Sequence, residues 1–294
     1  MRGIVMTGGK YRPVGSALSG PINAEAHALK IAVEVASTWH KDGASGQAEV
    51  PMGVVATIAV AGLLVDDPVR LAEAMTSASP TEFVHLARQA WAVAVTRRPD
   101  VTLWAHPLLR WLFAELDEPT RQRIKRSAVA ALDAGQLELT ATDRRFGCDL
   151  FGPLLGALRS RTATKVNAQM YTPGDIACAL TALALDDLEA GQSFCDDTVG
   201  TGGLFRVAAQ IVRSRGLDPA DMLWFGADTD ELAVAATAVN SLLWGLGSGV
   251  TLYVGDILNH PHWPEEARRG RASFLEQVDG LKAGMQALDF LKRI

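Results

Sequence analysis

The length, composition and charge of the chain argue against several classes of protein. Its 294 residues suffice for one large domain or two ordinary ones with a substantial core. Apolar residues make up 48% and charged residues 21%, which argues against disordered, collagen-like and low-complexity chains. The 28 basic and 33 acidic residues give a net charge of −5, so any attraction for nucleic acid must come from a local basic face or a partner.

The cysteines and the apolar runs predict a cytoplasmic protein without a membrane segment. Cys148, Cys178 and Cys195 have neither a disulfide framework nor metal-ligand spacing, and we interpret them as buried thiols. The start of the sequence has no hydrophobic signal core. The longest charge-free apolar run, 50–65, is slightly short of a membrane-spanning helix.

The first part of the chain is predicted to be a mainly helical domain over 21–165, after a flexible glycine-rich terminus over 1–20. Asn23 is a plausible N-cap, and the apolar spacing that follows predicts an amphipathic helix to Trp39. The segment LELTAT at 137–142 predicts a strand. After a linker, further helices are expected over 53–65, 68–77, 81–97, 107–116, 119–134 and from 152 onward.

The second part, 166–294, alternates short apolar runs with helical stretches. Its predicted helices cover 174–186, 203–215, 230–244 and a C-terminal stretch, and its predicted strands cover 193–196, 223–228 and 251–256. Strands separated by helices of this length predict a parallel sheet with right-handed crossovers. The expected fold class is therefore α/β, with a helical N-terminal region and a shortened Rossmann-like unit built on a parallel sheet.

Acidic residues mark the ends of the three predicted strands. Asp196 ends the first strand, Asp228 the second and Asp256 the third. Because ligands bind at the carboxyl ends of strands in an open parallel sheet, we expect these acids to line a cofactor edge. Asp228 can accept hydrogen bonds from ribose hydroxyls, and Asp256 can accept one from an adenine amino group.

A glycine turn follows the first strand. Gly200, Gly202 and Gly203 allow a sharp turn and a close approach to a ligand, and the next helix presents free N–H groups. The spacing is not GxGxxG and the turn lacks the lysine of a P-loop, which disfavours a nucleoside triphosphate. The turn and the three acids together suit an adenosine cofactor without phosphates.

Four segments between about Asp149 and Asp256 resemble, in order, the S-adenosylmethionine-dependent N6-adenine DNA methylases, especially the modification subunits of type I restriction systems. NAQMYTPGDIACAL is similar to the motif at the methionine end of the cofactor, and FCDDTVGTGGLF is similar to the family's GTGG loop. GADTDELAVAATAVNSLLWG resembles the ribose-binding segment, and YVGDIL resembles the turn at the adenine. The resemblance implies a methyltransferase fold and the following contacts to S-adenosylmethionine: Tyr171, Thr172, Pro173, Asp196, Gly200, Thr201, Gly202, Gly203, Asp228, Thr229, Asp256 and Ile257.

The sequence also departs from the family pattern. Asp197 stands where the family has proline, Val199 where it has cysteine, and Asp228 where it more often has glutamate. The Asn-Pro-Pro-aromatic motif that holds the target adenine does not occur, and the nearest lookalike, NHPHW at 259–263, follows the third strand too soon. We therefore expect a shortened sheet whose first strand needs a cover from the N-terminal helices, the C-terminal helix or a second chain.

These features predict an S-adenosylmethionine-binding protein, degenerate or partner-dependent for methyl transfer to adenine N6 in DNA. The alternatives are a small-molecule or RNA methyltransferase with a different acceptor site and a non-catalytic cofactor sensor. We assign no catalytic residue and no metal ligand. The basic stretch 121–165 is either a DNA contact or a solvated helix face. A homodimer or a partner subunit is expected to complete the sheet.

Overall fold

The computed structural model describes residues 23–41, 47–159 and 188–291. The described part of the first region is helical, with short 3-10 turns at His106–Leu108 and Asp143–Gly147. Its helices are α1 (Ala24–His40), α2 (Glu49–Gly62), α3 (Pro68–Ser77), α4 (Pro80–Arg97), α5 (Pro99–Ala105), α6 (Arg110–Phe113), α7 (Glu118–Asp133), α8 (Gln136–Thr140) and α9 (Phe151–Leu158).

The second region alternates strands and helices. Its elements are β1 (Ser193–Asp196), α10 (Gly203–Ser214), a 3-10 turn (Pro219–Asp221), β2 (Leu223–Asp228), α11 (Glu231–Leu243), β3 (Val250–Val254) and α12 (Trp263–Leu291). The predicted strand at 251–256 is confirmed as β3 but begins and ends earlier. The predicted helix 174–186 lies outside the described residues.

Capping residues set several of the helix starts. Asn23 accepts a hydrogen bond from the backbone N–H of Glu25, which confirms the predicted start of α1. Ser79 and Glu82 form a reciprocal capping box at the start of α4. Asp117 caps α7 by accepting from the backbone N–H of Thr120.

The helix α2 lies at the centre of the helical region. All its residues from Val50 to Gly62 are buried, as expected for a helix that is apolar on every side. The helix begins at Glu49, before the predicted start at 53. Pro51 does not prevent this, because it lies in the first turn, where backbone N–H groups have no intrahelical acceptor and a proline is tolerated.

Two sequence predictions in this region are wrong. The segment 137–142 is not a strand, since Gln136–Thr140 is the helix α8. The alternation of buried leucines with exposed Glu138 fits a helical turn equally well, and Gly135 with φ of 90° lets this turn follow α7 directly. The single helix predicted over 107–116 is instead a 3-10 turn that contains Pro107, followed by the short helix α6.

One continuous hydrophobic core includes residues of both regions. The helix α11 packs against α5 and α2 of the helical region as well as against β2 and β3. The tryptophans of the helical region are buried in this core: Trp39, Trp91, Trp104 and Trp111. The boundary between two domains near 165 stays a prediction.

The sheet contains three parallel strands in the order β1-β2-β3 among the described residues. In the register, Asp196 pairs with Gly226, and Asp228 pairs with Val254. Because the strands are parallel, all three end at the same edge of the sheet. The predicted α/β fold class, with a helical N-terminal region and a small parallel sheet, is confirmed.

The outer edge of β1 is open in the part of the chain that the structure describes. This strand pairs only with β2, and Ser193 and Cys195 on it are exposed. The prediction that Cys195 is buried is therefore wrong, because it assumed that the whole strand is buried, whereas only Asp196 of β1 is. Over the ranges that the structure describes, no helix is long and apolar enough to cross a membrane.

We predict that Gly53→Ala destabilises the helical region. An added Cβ would lie 2.3 Å from the carbonyl oxygen of Leu108 and 2.4 Å from Nε1 of Trp111. Overpacking of this kind lowers the free energy of unfolding by about 1–3 kcal/mol, which chemical denaturation measures. Gly270→Ala is the control, because no atom lies within 4 Å of its added methyl group. Equal stability of the two variants would contradict the packing at Gly53.

Candidate functional site

Three carboxylates lie at the carboxyl edge of the sheet, as the sequence predicts. Asp196 and Asp228 are the last residues of β1 and β2, and Asp256 follows β3. The backbone N–H of Gly255 donates to the carbonyl oxygen of Asp228 at 3.0 Å, which holds the turn after β3 against the end of β2. Parallel pairing thus brings together acids that are far apart in the sequence.

The carboxylate of Asp228 connects two loops at this edge. Its Oδ2 accepts from the backbone N–H of Gly200 at 2.9 Å, and its Oδ1 accepts from the backbone N–H of Asp230 at 2.9 Å. Each carboxylate oxygen has a further lone pair, so Asp228 can still accept hydrogen bonds from the hydroxyls of a ligand.

The carboxylate of Asp196 is held in a strongly negative environment. It accepts from the backbone N–H of Thr198 at 3.0 Å and is largely buried. Burial raises the pKa of Asp196, and the negative charges of Asp197 and Asp228 raise it further. A cationic ligand at this edge would relieve the repulsion among these carboxylates.

The loop between β1 and α10 turns through glycines in the left-handed region. Gly200 has φ of 54° and Gly202 has φ of 92°, values that side chains rarely adopt. A Cβ on Gly202 would also lie 2.9 Å from the ring of Trp244. The helix α10 begins at Gly203 without a side-chain cap, so the N–H groups of its first turn face the loop without a capping acceptor.

Side chains behind the loop hold its backbone. The hydroxyl of Thr237 donates to the carbonyl oxygen of Gly200 at 2.7 Å, and Nδ2 of Asn240 donates to the carbonyl oxygen of Thr201 at 2.8 Å. Thr201 is 1% exposed, and its hydroxyl donates to the carboxylate of Asp149. The side chain of Thr201 therefore points into the protein and is not exposed to a ligand.

Sequence reasoning assigned no role to Asp149. The sequence does contain a signal for a helix start, because Asp149 stands two residues before the apolar helix α9. In the structure its carboxylate accepts from the backbone N–H groups of Phe151 and Gly152. An acid in this position is typical of a helix start. Its contact with Thr201, however, joins residues far apart in the sequence, and no local pattern predicts it.

The departures from the family pattern have structural partners. Asp197 accepts from Nε1 of Trp263 at 2.9 Å, and the ring of Trp263 is buried against Tyr253 with 5.9 Å between centroids. Nδ2 of Asn259 donates to Oδ2 of Asp256 at 2.7 Å. The first and last residues of the NHPHW segment are therefore engaged in local contacts at the start of α12.

The remaining predicted contacts differ in position. Thr229 is exposed beside Asp228, and Ile257 is partly buried beside Asp256. No group of His, Cys, Asp and Glu suited to a metal ion occurs in the described ranges. The three predicted contacts at the methionine end lie outside the described residues: Tyr171, Thr172 and Pro173.

Several cations of the basic stretch 121–165 are buried or paired with acids in its described part. Lys125 is buried and donates to main-chain carbonyl oxygens. Arg161 and Lys165 lie outside the described residues. Four of its arginines have acidic partners within the chain: Arg121 with Glu118, Arg144 with Glu138, Arg145 with Asp143 and Arg159 with Asp230. A DNA contact through this stretch stays a prediction.

We predict that the two adjacent glycines of the loop differ in their tolerance of a methyl group. Gly202→Ala combines a positive φ with a close contact to Trp244, so we expect the free energy of unfolding to fall by about 1–3 kcal/mol. Gly203→Ala meets no atom within 4 Å and should leave it nearly unchanged. Thermal and chemical denaturation of both variants measure the difference, and equal losses would contradict the loop geometry.

Comparisons with known proteins identify a family model and a solved structure that are similar to this chain. Residues 148–274 match the family model described as N-6 DNA Methylase. No curated protein matches the chain. A crystal structure of the type I restriction-modification system methyltransferase subunit from Streptococcus thermophilus matches with 17% identity and a TM-score of 0.47.

That match covers 81% of this chain and 60% of the streptococcal chain, so the protein spans well under the full length of that subunit. The family match begins just before Asp149 and ends within α12, and thus includes the glycine loop and the three strand-end acids. The resemblance predicted from the sequence is thereby confirmed: residues 148–274 of this chain are similar to the N-6 DNA methylase family.

Proposed function

We propose that the carboxyl edge of the sheet binds S-adenosylmethionine. Asp228 accepts hydrogen bonds from the ribose hydroxyls, and Asp256 accepts one from the adenine amino group. The loop from Gly200 to Gly203 and the uncapped start of α10 receive the methionine part, whose carboxylate suits the N–H groups of a helix start. The observation that carries this proposal is that three strand-end acids and one glycine loop share the edge where parallel sheets bind ligands, with Asp228 bonded to the loop.

The charge of the ligand supports the proposal. S-adenosylmethionine carries a positive sulfonium and an ammonium group, whereas nucleoside triphosphates carry several negative charges. Burial is the main cause of the raised pKa of Asp196, and the nearby negative charges of Asp197 and Asp228 add to it. A cation is therefore favoured at this edge, and a phosphate is disfavoured.

Calorimetry with S-adenosylmethionine tests this proposal. Asp228→Asn removes the charge of the ribose acceptor, and we expect about tenfold to hundredfold weaker binding. Asp218→Asn is the control, because Asp218 makes a similar bond to the backbone N–H of Ala220 at the opposite end of β2. Absence of binding by the unsubstituted protein at millimolar ligand would refute the proposal. Equal affinities of the two variants would refute the assigned pose.

We further propose that the methyl acceptor is the N6 amino group of adenine in DNA and that a partner chain completes the acceptor site. The match of residues 148–274 to the N-6 DNA methylase family model supports this acceptor. The printed sequence contains no Asn-Pro-Pro-aromatic motif, and Asn259 of the nearest lookalike donates to Asp256 instead. In such an enzyme the base is flipped out and its amino nitrogen attacks the methyl group in line. A cytoplasmic location is part of this proposal.

Transfer of a labelled methyl group separates the acceptors. We expect no transfer to duplex DNA by the chain alone, and transfer to adenine when a DNA-recognition subunit of a restriction system is added. The Asp228→Asn variant should lose this activity in proportion to its loss of affinity. Transfer to DNA by the chain alone would contradict partner dependence. Transfer to RNA or a small molecule would indicate a different acceptor, and cofactor binding without any transfer would indicate a sensor.

A further inference from the structure

The carboxylate of Asp149, which lies between the 3-10 turn Asp143–Gly147 and α9, accepts four hydrogen bonds. Its Oδ1 accepts from the backbone N–H groups of Phe151 and Gly152 at 3.0 and 3.1 Å and from Nδ2 of Asn240 at 2.8 Å. Its Oδ2 accepts from the hydroxyl of Thr201 at 2.5 Å. One side chain thus connects the start of α9, the glycine loop and α11.

We infer that Asp149 is a positioning residue for the cofactor: it holds Thr201, and with it the glycine loop, in the conformation that binds S-adenosylmethionine. This inference rests on the proposed function. Asp149 acts through Thr201 and Asn240 and not by contact with the ligand. The helical region thereby controls the shape of the loop at the edge of the sheet.

The amide of Asn240 supports this role. Asn240 is 0% exposed, and its Nδ2 donates to Oδ1 of Asp149 and to the carbonyl oxygen of Thr201, both at 2.8 Å. Both partners are acceptors, so the amide nitrogen must face them. The Oδ1 of Asn240 has no partner within the described ranges. Burying an amide is costly, and here the bonds that offset the cost all serve the loop and its anchor.

A glycine makes room for the contact between the carboxylate and the hydroxyl. A Cβ on Gly152 would lie 2.5 Å from Oδ2 of Asp149 and 3.1 Å from Oγ1 of Thr201. Any larger residue at this place in α9 would separate the two groups. Gly156, one turn later in the same helix, has no atom within 4 Å of an added Cβ.

The electrostatics show why the donors matter. Burial raises the pKa of Asp149, while the bonds from Thr201, Gly152 and Asn240 lower it. A buried carboxylate is stable only when its lone pairs are satisfied. Loss of one donor therefore destabilises the carboxylate of Asp149 and weakens the hydrogen bonds that hold the backbone of Thr201 in the loop.

The Thr201→Val variant tests the inference, because it removes the hydroxyl with little change of shape. We expect S-adenosylmethionine to bind about tenfold to hundredfold more weakly. The backbone amides of 199–203 should exchange hydrogen faster, since the loop opens more often. Thr201→Ser keeps the hydroxyl and should stay within about threefold of the unsubstituted affinity.

Thr57→Val is the matched control. Thr57 is a fully buried threonine in α2 whose hydroxyl donates to the carbonyl oxygen of Gly53 and accepts from Nε1 of Trp91. This variant should lose stability but keep the affinity and the exchange rates of the loop. If Thr201→Val and Thr57→Val have the same affinity and the same loop exchange, Asp149 supports only the fold and the inference is overturned.

Two further measurements keep the result unambiguous. If Thr201→Val does not fold, Gly152→Ala tests the same contact, with about tenfold weaker binding expected, and Gly156→Ala in the same helix should bind normally. If the unsubstituted protein does not bind S-adenosylmethionine, the proposed function fails. Hydrogen exchange then decides whether Asp149 holds the loop: faster exchange in Thr201→Val than in Thr57→Val supports it, and equal exchange overturns it.

Discussion

The parallel pairing of β1, β2 and β3 is the constraint on which the candidate site depends. Parallel strands end at a common edge, so acids that follow three separate strands lie at the same edge as the glycine loop. An antiparallel arrangement of the same segments would place alternate acids at opposite edges. The crossover helices α10 and α11 impose the parallel order, and α11 at the same time packs against the helical region.

The glycine loop has a supported back and a charged front. Behind it, buried polar side chains of α11 and the carboxylate of Asp149 hold the backbone through hydrogen bonds. At the same edge, burial and, to a smaller extent, the charges of Asp197 and Asp228 raise the pKa of Asp196, so the ionised form of this carboxylate opposes folding. The hydrogen bonds behind the loop thus offset the unfavourable charge of the carboxylates at the sheet edge. Such a balance is common at sites where function opposes stability.

Much of the fold could be predicted from sequence, and the failures have physical reasons. The bounds of β1 and β2 were predictable because each is a short apolar run that ends in an acid or a glycine turn. The strand predicted over 137–142 was wrong because two buried leucines separated by one residue fit a helical turn as well. The role of Asp149 was not predictable, since its bonds to Thr201 and Asn240 form only when distant segments pack together.

Cys195, an exposed residue of β1, has a thiol with a raised pKa. Partial burial of its sulfur and the nearby charges of Asp197 and Asp196 raise the pKa of Cys195 to about 11. Only the thiolate is an effective nucleophile, and at neutral pH almost none of it forms. Cys195 is therefore an exposed residue whose thiol we expect to react slowly with alkylating reagents and disulfides at neutral pH.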